Sequence, residues 1–160
     1  MVDFKTIDKF KPGLIHSLLK ISYAGFIERF PDEKEKSYTQ WEQEDHNAFN
    51  YPLTIGKYVL FACMNNLPIG YCSWDDRQYP VGIIGQNCIL PQYQRRGYGR
   101  IQIELIIKMF RDKNFREIRV ITGEHDFFIP AQKMYQKCGF QERRRINGDL
   151  FNLIELYKLI

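Results

Sequence analysis

The stretch VGIIGQNCILPQYQRRGYGRIQIELIIKMF, Val81 to Phe110, decides how the chain is read. Val81 to Leu90 is apolar except for Gln86 and Asn87, which predicts a buried strand, and Pro91 stops it. Gln94 to Arg100 is a short basic loop with two glycines. Beyond it Ile101, Leu105 and Met109, with Ile106 and Phe110, recur at helical spacing and predict the inner face of a long amphipathic helix. The first N–H groups of such a helix have no partner within it and carry the positive end of its dipole. Gly97 and Gly99 would let a phosphate approach the backbone, and Arg95, Arg96 and Arg100 add positive charge. A Walker loop would need Gly-Lys-Ser/Thr at its end, where Arg100 and Ile101 follow Gly99. The dinucleotide fingerprint would need a third glycine where Gln102 stands. A turn whose glycines serve only chain reversal accounts for Gly97 and Gly99 equally well.

Taken whole, the stretch resembles the central motif of the GNAT superfamily of N-acetyltransferases, Gln/Arg-x-x-Gly-x-Gly/Ala. Gln94, Gly97 and Gly99 fill it, and Ile89-Leu90-Pro91 matches the apolar-x-Pro strand exit. The resemblance implies acetyl-CoA as acyl donor and an amine, on a small molecule or a protein, as acceptor. It implies that main-chain groups of Asn87, Cys88 and Ile89 meet the pantetheine arm and the acetyl carbonyl. It also implies that N–H groups of Arg95, Arg96, Gly97, Tyr98, Gly99 and Arg100 meet the pyrophosphate, a nest-like arrangement that works through main chain.

A chain of 160 residues allows one domain, residues 1–160, with a proper core. Its 44% hydrophobic and 26% charged content is that of an ordinary globular protein. A formal charge of +4 suits an anionic ligand but is weak support for nucleic acid. Cys63, Cys72, Cys88 and Cys138 have no close metal-ligand spacing, so no metal is expected. Asp3 and Lys5 interrupt the N-terminus, no apolar run reaches membrane-spanning length, and a reduced, cytoplasmic setting is expected.

Along the chain, residues 2–8 predict a strand with Val2, Phe4 and Ile7 inward. Pro12-Gly13 opens a helix with Leu14, Ile15, Leu18, Leu19, Ser22 and Phe26 on its inner face. Asp32 and Glu35 could cap the next helix, on which Tyr38, Trp41, Asp45, Ala48 and Phe49 align. Asp45 could face a substrate or lie at the edge of the buried face, the commoner situation. Residues 57–64 and 67–74 predict a hairpin turned at Asn65-Asn66. Asp75 and Asp76 begin a loop and could bind an amine or a metal, but a solvated loop end explains them better. Residues 116–122 predict a strand parallel to the central one, by a right-handed crossover. Pro130 and Gly139 bracket a helix with Ala131, Met134, Tyr135 and Cys138 inward. Strands at 140–146 and 150–158 close the chain, and the last could pair across a homodimer. The order of elements also resembles the GNAT fold, an α/β (α+β) arrangement with a mixed, mostly antiparallel sheet of about seven strands and four helices.

Acetyl transfer to an amine needs positioning, donors for the carbonyl oxygen, and two proton transfers. The segment Pro130 to Phe140 resembles the family's Ala-x-x-(apolar)-Tyr-x-x-x-Gly-Phe segment, whose tyrosine is the usual acid. Tyr135 is therefore a candidate acid for the departing thiolate, and otherwise a core aromatic. Many relatives carry a glutamate early in the central strand as base, and Gly82 to Gly85 offers none. Glu124 and His125, at the end of the following strand, are the candidate bases, directly or through water. Phe128 stands where many relatives have an asparagine that contacts coenzyme A. Without a catalytic group the same fold would be a non-catalytic acyl-CoA-binding module. Arg143-Arg144-Arg145 could bind nucleic acid, but a charged edge strand with alternating side chains explains the run better.

Overall fold

The computed structural model describes all of residues 1–160. Seven strands are ordered β1-β2-β3-β4-β5-β7-β6: β1 (Asp3–Thr6), β2 (Val59–Met64), β3 (Leu67–Asp75), β4 (Val81–Ile89), β5 (Glu117–Gly123), β6 (Gln141–Ile146) and β7 (Leu153–Leu159). Five α-helices accompany them: α1 (Leu14–Ser22), α2 (Ala24–Arg29), α3 (Lys34–Asn50), α4 (Tyr98–Asp112) and α5 (Ile129–Lys137). The sheet is mostly antiparallel. β4 and β5 are the parallel pair, in register from Val81 opposite Glu117 to Ile83 opposite Arg119, as the crossover of α4 requires. The residues group into two compact units, Met1–Ser73 with Asn87–Tyr98, and Trp74–Gln86 with Gly99–Ile160.

In the first unit, β2 and β3 form the expected hairpin. Asn65 and Asn66 close it with φ of 48° and 66°, the left-handed pair that a tight hairpin turn needs. Val59, Phe61 and Cys63 alternate onto one face and join Ile15, Leu18 and Leu19 of α1, Trp41 and Ala48 of α3, Tyr71 of β3 and Cys88 of β4. Ala62, Ile69 and Ile89 pack on the other face with Val2, Phe4, Tyr93 and Tyr98. Gly70 lets β3 approach the end of β4 closely. A Cβ there would lie 2.3 Å from the Cys88 carbonyl.

The helix predicted through Phe26 breaks at Tyr23, which gives five helices where four were expected. The capping pair Asp32 and Glu35 does not form. A 3₁₀ turn at Pro31–Glu33 runs directly into α3, so Glu33 takes the cap position without a side-chain bond. Ile7 is buried as expected, but in a 3₁₀ turn after β1 rather than in the strand.

Asp45 is the polar residue that organises this unit. It is 5% exposed and bonds the start of α1 from α3: Oδ1 accepts from Gly13 N at 2.8 Å, and Oδ2 from Ile15 N at 2.8 Å and His16 N at 3.2 Å. A carboxylate at a helix N-terminus satisfies orphan donors and meets the positive end of the dipole. Of the two alternatives open for Asp45, the edge of the buried face is the one found.

In the second unit, Ile118, Val120 and Thr122 of β5 point inward while Ile121 is exposed. The buried stripe of α4 is Gln102, Ile103, Ile106, Ile107 and Phe110, and Ile101 is exposed. The expected stripe through Ile101, Leu105 and Met109 is displaced, because seven apolar side chains recur between Ile101 and Phe110 and two overlapping stripes fit the same period. Gly82 makes room for Phe110, whose ring meets Phe115 at 4.9 Å. β7 pairs with β5 on one side and β6 on the other, so it is not an edge that could pair across a dimer. β6 is the edge strand.

Replacing Asp45 by Ala should lower stability by about 2 kcal/mol, since three N–H groups lose a charged acceptor. The urea midpoint is the measurement, and Ala at exposed Glu42 is the control.

Candidate active site

The loop between β4 and α4 has the backbone of an anion cradle. Gln94 holds it from below, donating through Nε2 to the Ile89 carbonyl at 2.8 Å. Arg95 has φ of 60° and Gly97 φ of 87°, so the chain changes hand twice within three residues. This aims successive N–H groups to one side. The N–H groups of Arg95, Arg96 and Gly97 donate to no other main-chain group. α4 then begins at Tyr98, with fifteen residues of aligned peptide dipoles behind it. A Cβ built on Gly97 meets nothing within 4 Å, so this glycine is required by its φ and not by space. Gly99 lies in the first turn of α4. Arg95 and Arg96 are exposed, while Arg100 Nε donates to Glu104 at 2.7 Å along the helix.

Upstream of the loop, Leu90 N donates to Ile69 O at 2.8 Å and carries the antiparallel pairing past the end of β4. Tyr23 Oη reaches the Asn87 carbonyl at 3.5 Å. Cys88 and Ile89 are buried on opposite faces. Burial pushes the Cys88 thiol up to about 11 and Cys72 to about 12, and raises Cys63 and Cys138 as well. All four are buried and none is in a disulfide. Near neutral pH such thiols are not nucleophiles.

Tyr135 is 4% exposed on α5. Its carbonyl accepts from Cys138 N and Phe140 N at the helix end, where Gly139 turns the chain at φ of 90°. Its ring meets Phe140 edge-on at 5.7 Å. Gln132 ties α5 to β5 by donating to the Gly123 carbonyl at 2.7 Å.

Glu124 and His125 each carry another bond. Glu124 Oε1 pairs with Arg145 Nη1, and its Oε2 is buried without a hydrogen-bond partner. His125 Nδ1 accepts from Phe127 N at 3.1 Å, which caps the short turn Asp126–Phe128. An imidazole that accepts at Nδ1 carries its proton on Nε2, so its basic lone pair is already used. Phe128 covers Gly123 and packs on Phe151 at 5.5 Å, an aromatic contact where the resemblance led one to look for an asparagine.

Arginines 143 to 145 are taken up by carboxylates. A bulge between Glu142 and Arg144 breaks the alternation expected there, so Arg143 and Arg144 both donate to Glu155 Oε2, at 2.9 and 2.7 Å. Burial alone would raise Glu155, but these two guanidinium groups outweigh it and hold the carboxyl below its usual range. Arg145 pairs with Glu142 and Glu124. Asp75 is bound by Arg77, and Asp76 by Lys113 at 3.0 Å. No group of three His, Cys, Asp or Glu side chains is placed to hold a metal, and no helix is long and apolar enough to cross a membrane.

One polar cluster was not legible in the sequence. Glu44 Oε2 accepts from Tyr71 Oη at 3.2 Å, next to Tyr23 and Cys88. Its only trace in the sequence is a place one turn after Trp41, which does not announce a partner on β3.

The sequence profile of the Acetyltransferase (GNAT) family matches residues 15–140. The chain belongs to that family. It is thus by family a transferase of acetyl groups, and its sheet order and five helices match the GNAT fold. A search of curated protein sequences returns no match. Among solved structures, one assigned to the GNAT family from Desulfovibrio desulfuricans is 14% identical, with a TM-score of 0.77 and 99% of each chain covered. The IAA acetyltransferase from Bacillus cereus is 15% identical, with a TM-score of 0.65 and 100% of each chain covered. A Bacillus subtilis acetyltransferase in complex with CoA is 18% identical, with a TM-score of 0.57, covering 64% of this chain and 76% of its own. At these identities the likeness shows the fold.

In the native protein near neutral pH, none of the four thiols should react within minutes with a water-soluble disulfide reagent, and all four should react in denaturant. Absorbance of the released thiol checks this.

Proposed function

We propose that this GNAT domain, residues 1–160, moves an acetyl group from acetyl-CoA to a primary amine by direct attack in a ternary complex. One observation carries the reading: three consecutive N–H groups, Arg95 to Gly97, are unengaged where φ alternates ahead of α4. They suit a diphosphate, with Arg95 and Arg96 exposed beside them. The N–H groups of Tyr98, Gly99 and Arg100 would extend that surface. Main-chain groups of Asn87, Cys88 and Ile89 would hold the pantetheine arm and orient the carbonyl. The bound donor supplies the acetyl group as a thioester, and a structure with CoA in a relative supports that donor class. The raised thiols argue against an acyl-cysteine intermediate and so for direct attack.

Tyr135 would give its proton to the departing sulfur. A phenol near ~10 keeps its proton at neutral pH and yields it to a thiolate as charge develops. Glu124 and His125 were the bases suggested by position, and their bonds to Arg145 and Phe127 leave each with little freedom for that work. A non-catalytic acyl-CoA-binding module is the reading that this last observation favours. Thiol release from acetyl-CoA in the presence of amines separates the two.

Calorimetry should detect acetyl-CoA binding, and failure to bind removes the reading. Replacing Gly97 by Ala should weaken that binding about tenfold, because an L side chain at positive φ costs about 1–2 kcal/mol. Replacing Tyr135 by Phe should lower kcat about 100-fold while acetyl-CoA affinity stays within about twofold. Unchanged kcat in steady-state thiol release would take Tyr135 out of the acid role.

A further inference from the structure

Beside Asp45, α3 carries a second carboxylate that is partly withdrawn from water and holds no cation. Glu44 is half-buried and one turn from buried Trp41, so the two share a helix face. Its Oε2 accepts from Tyr71 Oη at 3.2 Å, and Tyr71 is 2% exposed. Gln40 adds a side-chain hydrogen bond from the preceding turn. No lysine, arginine or histidine pairs with Glu44, whereas Glu104, Glu117, Glu124, Glu142 and Glu155 each hold an arginine. A carboxylate half out of water and lacking a counter-ion is a ready partner for an incoming cation.

The surroundings fit an ammonium group. Tyr71 from β3 bonds Glu44, Cys88 from β4 is near enough to feel the Glu44 charge, and Tyr23, between α1 and α2, acts electrostatically on Tyr71. The Tyr23 ring packs at 5.6 Å on Trp41, one turn before Glu44 on α3, while the Tyr38 ring beyond Trp41 already carries the ammonium groups of Lys20 and Lys34. The Tyr23 hydroxyl also touches the Asn87 carbonyl. Glu44 therefore belongs to the same cluster as the end of β4, where the acetyl carbonyl is proposed to lie.

We infer that Glu44 receives the ammonium form of an alkylamine acceptor and removes its proton as general base, with Tyr71 as the residue that positions it. The inference rests on the acetyl-transfer reading above. Glu44 takes one proton from the ammonium group. The freed nitrogen lone pair forms the C–N bond to the acetyl carbon, the C–S bond breaks, and Tyr135 protonates the sulfur. The second nitrogen proton restores Tyr135 through solvent, and Glu44 releases its proton to bulk. One proton is released per acetyl group moved. Burial raises the proton affinity of Glu44, with the bonds from Tyr71 and Gln40 acting against it, and the balance is upward. A carboxylate shifted in that direction is a better base near neutral pH. The negative charge also disfavours a zwitterionic amino acid, whose carboxylate would approach Glu44.

The test uses the full chain, calorimetry with acetyl-CoA, and thiol release with diaminobutane, an Nα-blocked lysine amide and glycine as acceptors. Wild type should use the first two and discriminate against glycine, with an acid limb above the ordinary carboxylate range. Glu44→Gln should keep acetyl-CoA affinity within about twofold and lose about 100-fold in kcat/KM near neutral pH. Its rate should then climb about tenfold per pH unit toward the amine's own pKa near ~10, since deprotonated amine needs no base. Tyr71→Phe removes a bond that lowers Glu44, so its acid limb should move to higher pH. A Glu44→Gln rate within about threefold of wild type, or a deficit equal at every pH, overturns the base assignment. Transfer to neither alkylamine by protein that binds acetyl-CoA overturns the acceptor class. No binding of acetyl-CoA by wild type overturns the acetyl-transfer reading itself, a result distinct from the other two.

Discussion

The bond from the Asp45 carboxylate to the first N–H groups of α1 is the constraint on which the first unit depends. It couples two helices through a group that is nearly withdrawn from water, where a missing partner would be costly. With α1 held against α3, Ile15, Leu18 and Leu19 share one apolar cluster with Trp41 and Ala48. The same arrangement brings Tyr23 against Trp41 and turns the neighbouring Glu44 toward Tyr71. Two adjacent carboxylates on one helix thus have different situations. Asp45 is consumed in capping, and Glu44 is bound by a phenol and an amide without a cation.

A second constraint works through main chain alone. Pro91, the 3₁₀ turn that follows it and the Gln94 bond to Ile89 end the central strand sharply. The chain must then change hand at Arg95 and Gly97 before α4 can start. The N–H groups of Arg95, Arg96 and Gly97 are left without a main-chain acceptor. In the proposed function this is the feature that recognises a diphosphate, and it depends little on which side chains stand there. The fold itself persists in solved structures only 14% to 18% identical to this chain.

Glu124 and His125 in the second unit have partners that their place in the sequence did not announce. Position suggested Glu124 and His125 as bases, since both follow β5 directly. Arg145 is brought to Glu124 by the bulged edge strand, and the backbone of Phe127 folds back on His125. Neither partner is near its target in a way that spacing alone would announce. The arginine run changed meaning for the same reason. One extra residue in β6 turned Arg143 and Arg144 toward a single buried glutamate.

What the sequence determined by itself are features carried by local pattern. The β2–β3 hairpin with its Asn65-Asn66 turn, the Pro91 stop, the glycine loop and the Pro130 to Gly139 helix each depend on residues within a few positions of one another. Their order was enough for the parallel β4–β5 pair and for the family. What only tertiary structure decided are the polar partnerships across long separations: Asp45 with Gly13, Glu44 with Tyr71, Glu124 with Arg145. The stripe of α4 that is buried belongs with these, because two stripes fit one period and packing chose between them. Periodicity encodes which side of an element is apolar, but a hydrogen bond between distant segments exists only once the chain has brought its donor and acceptor to the same place.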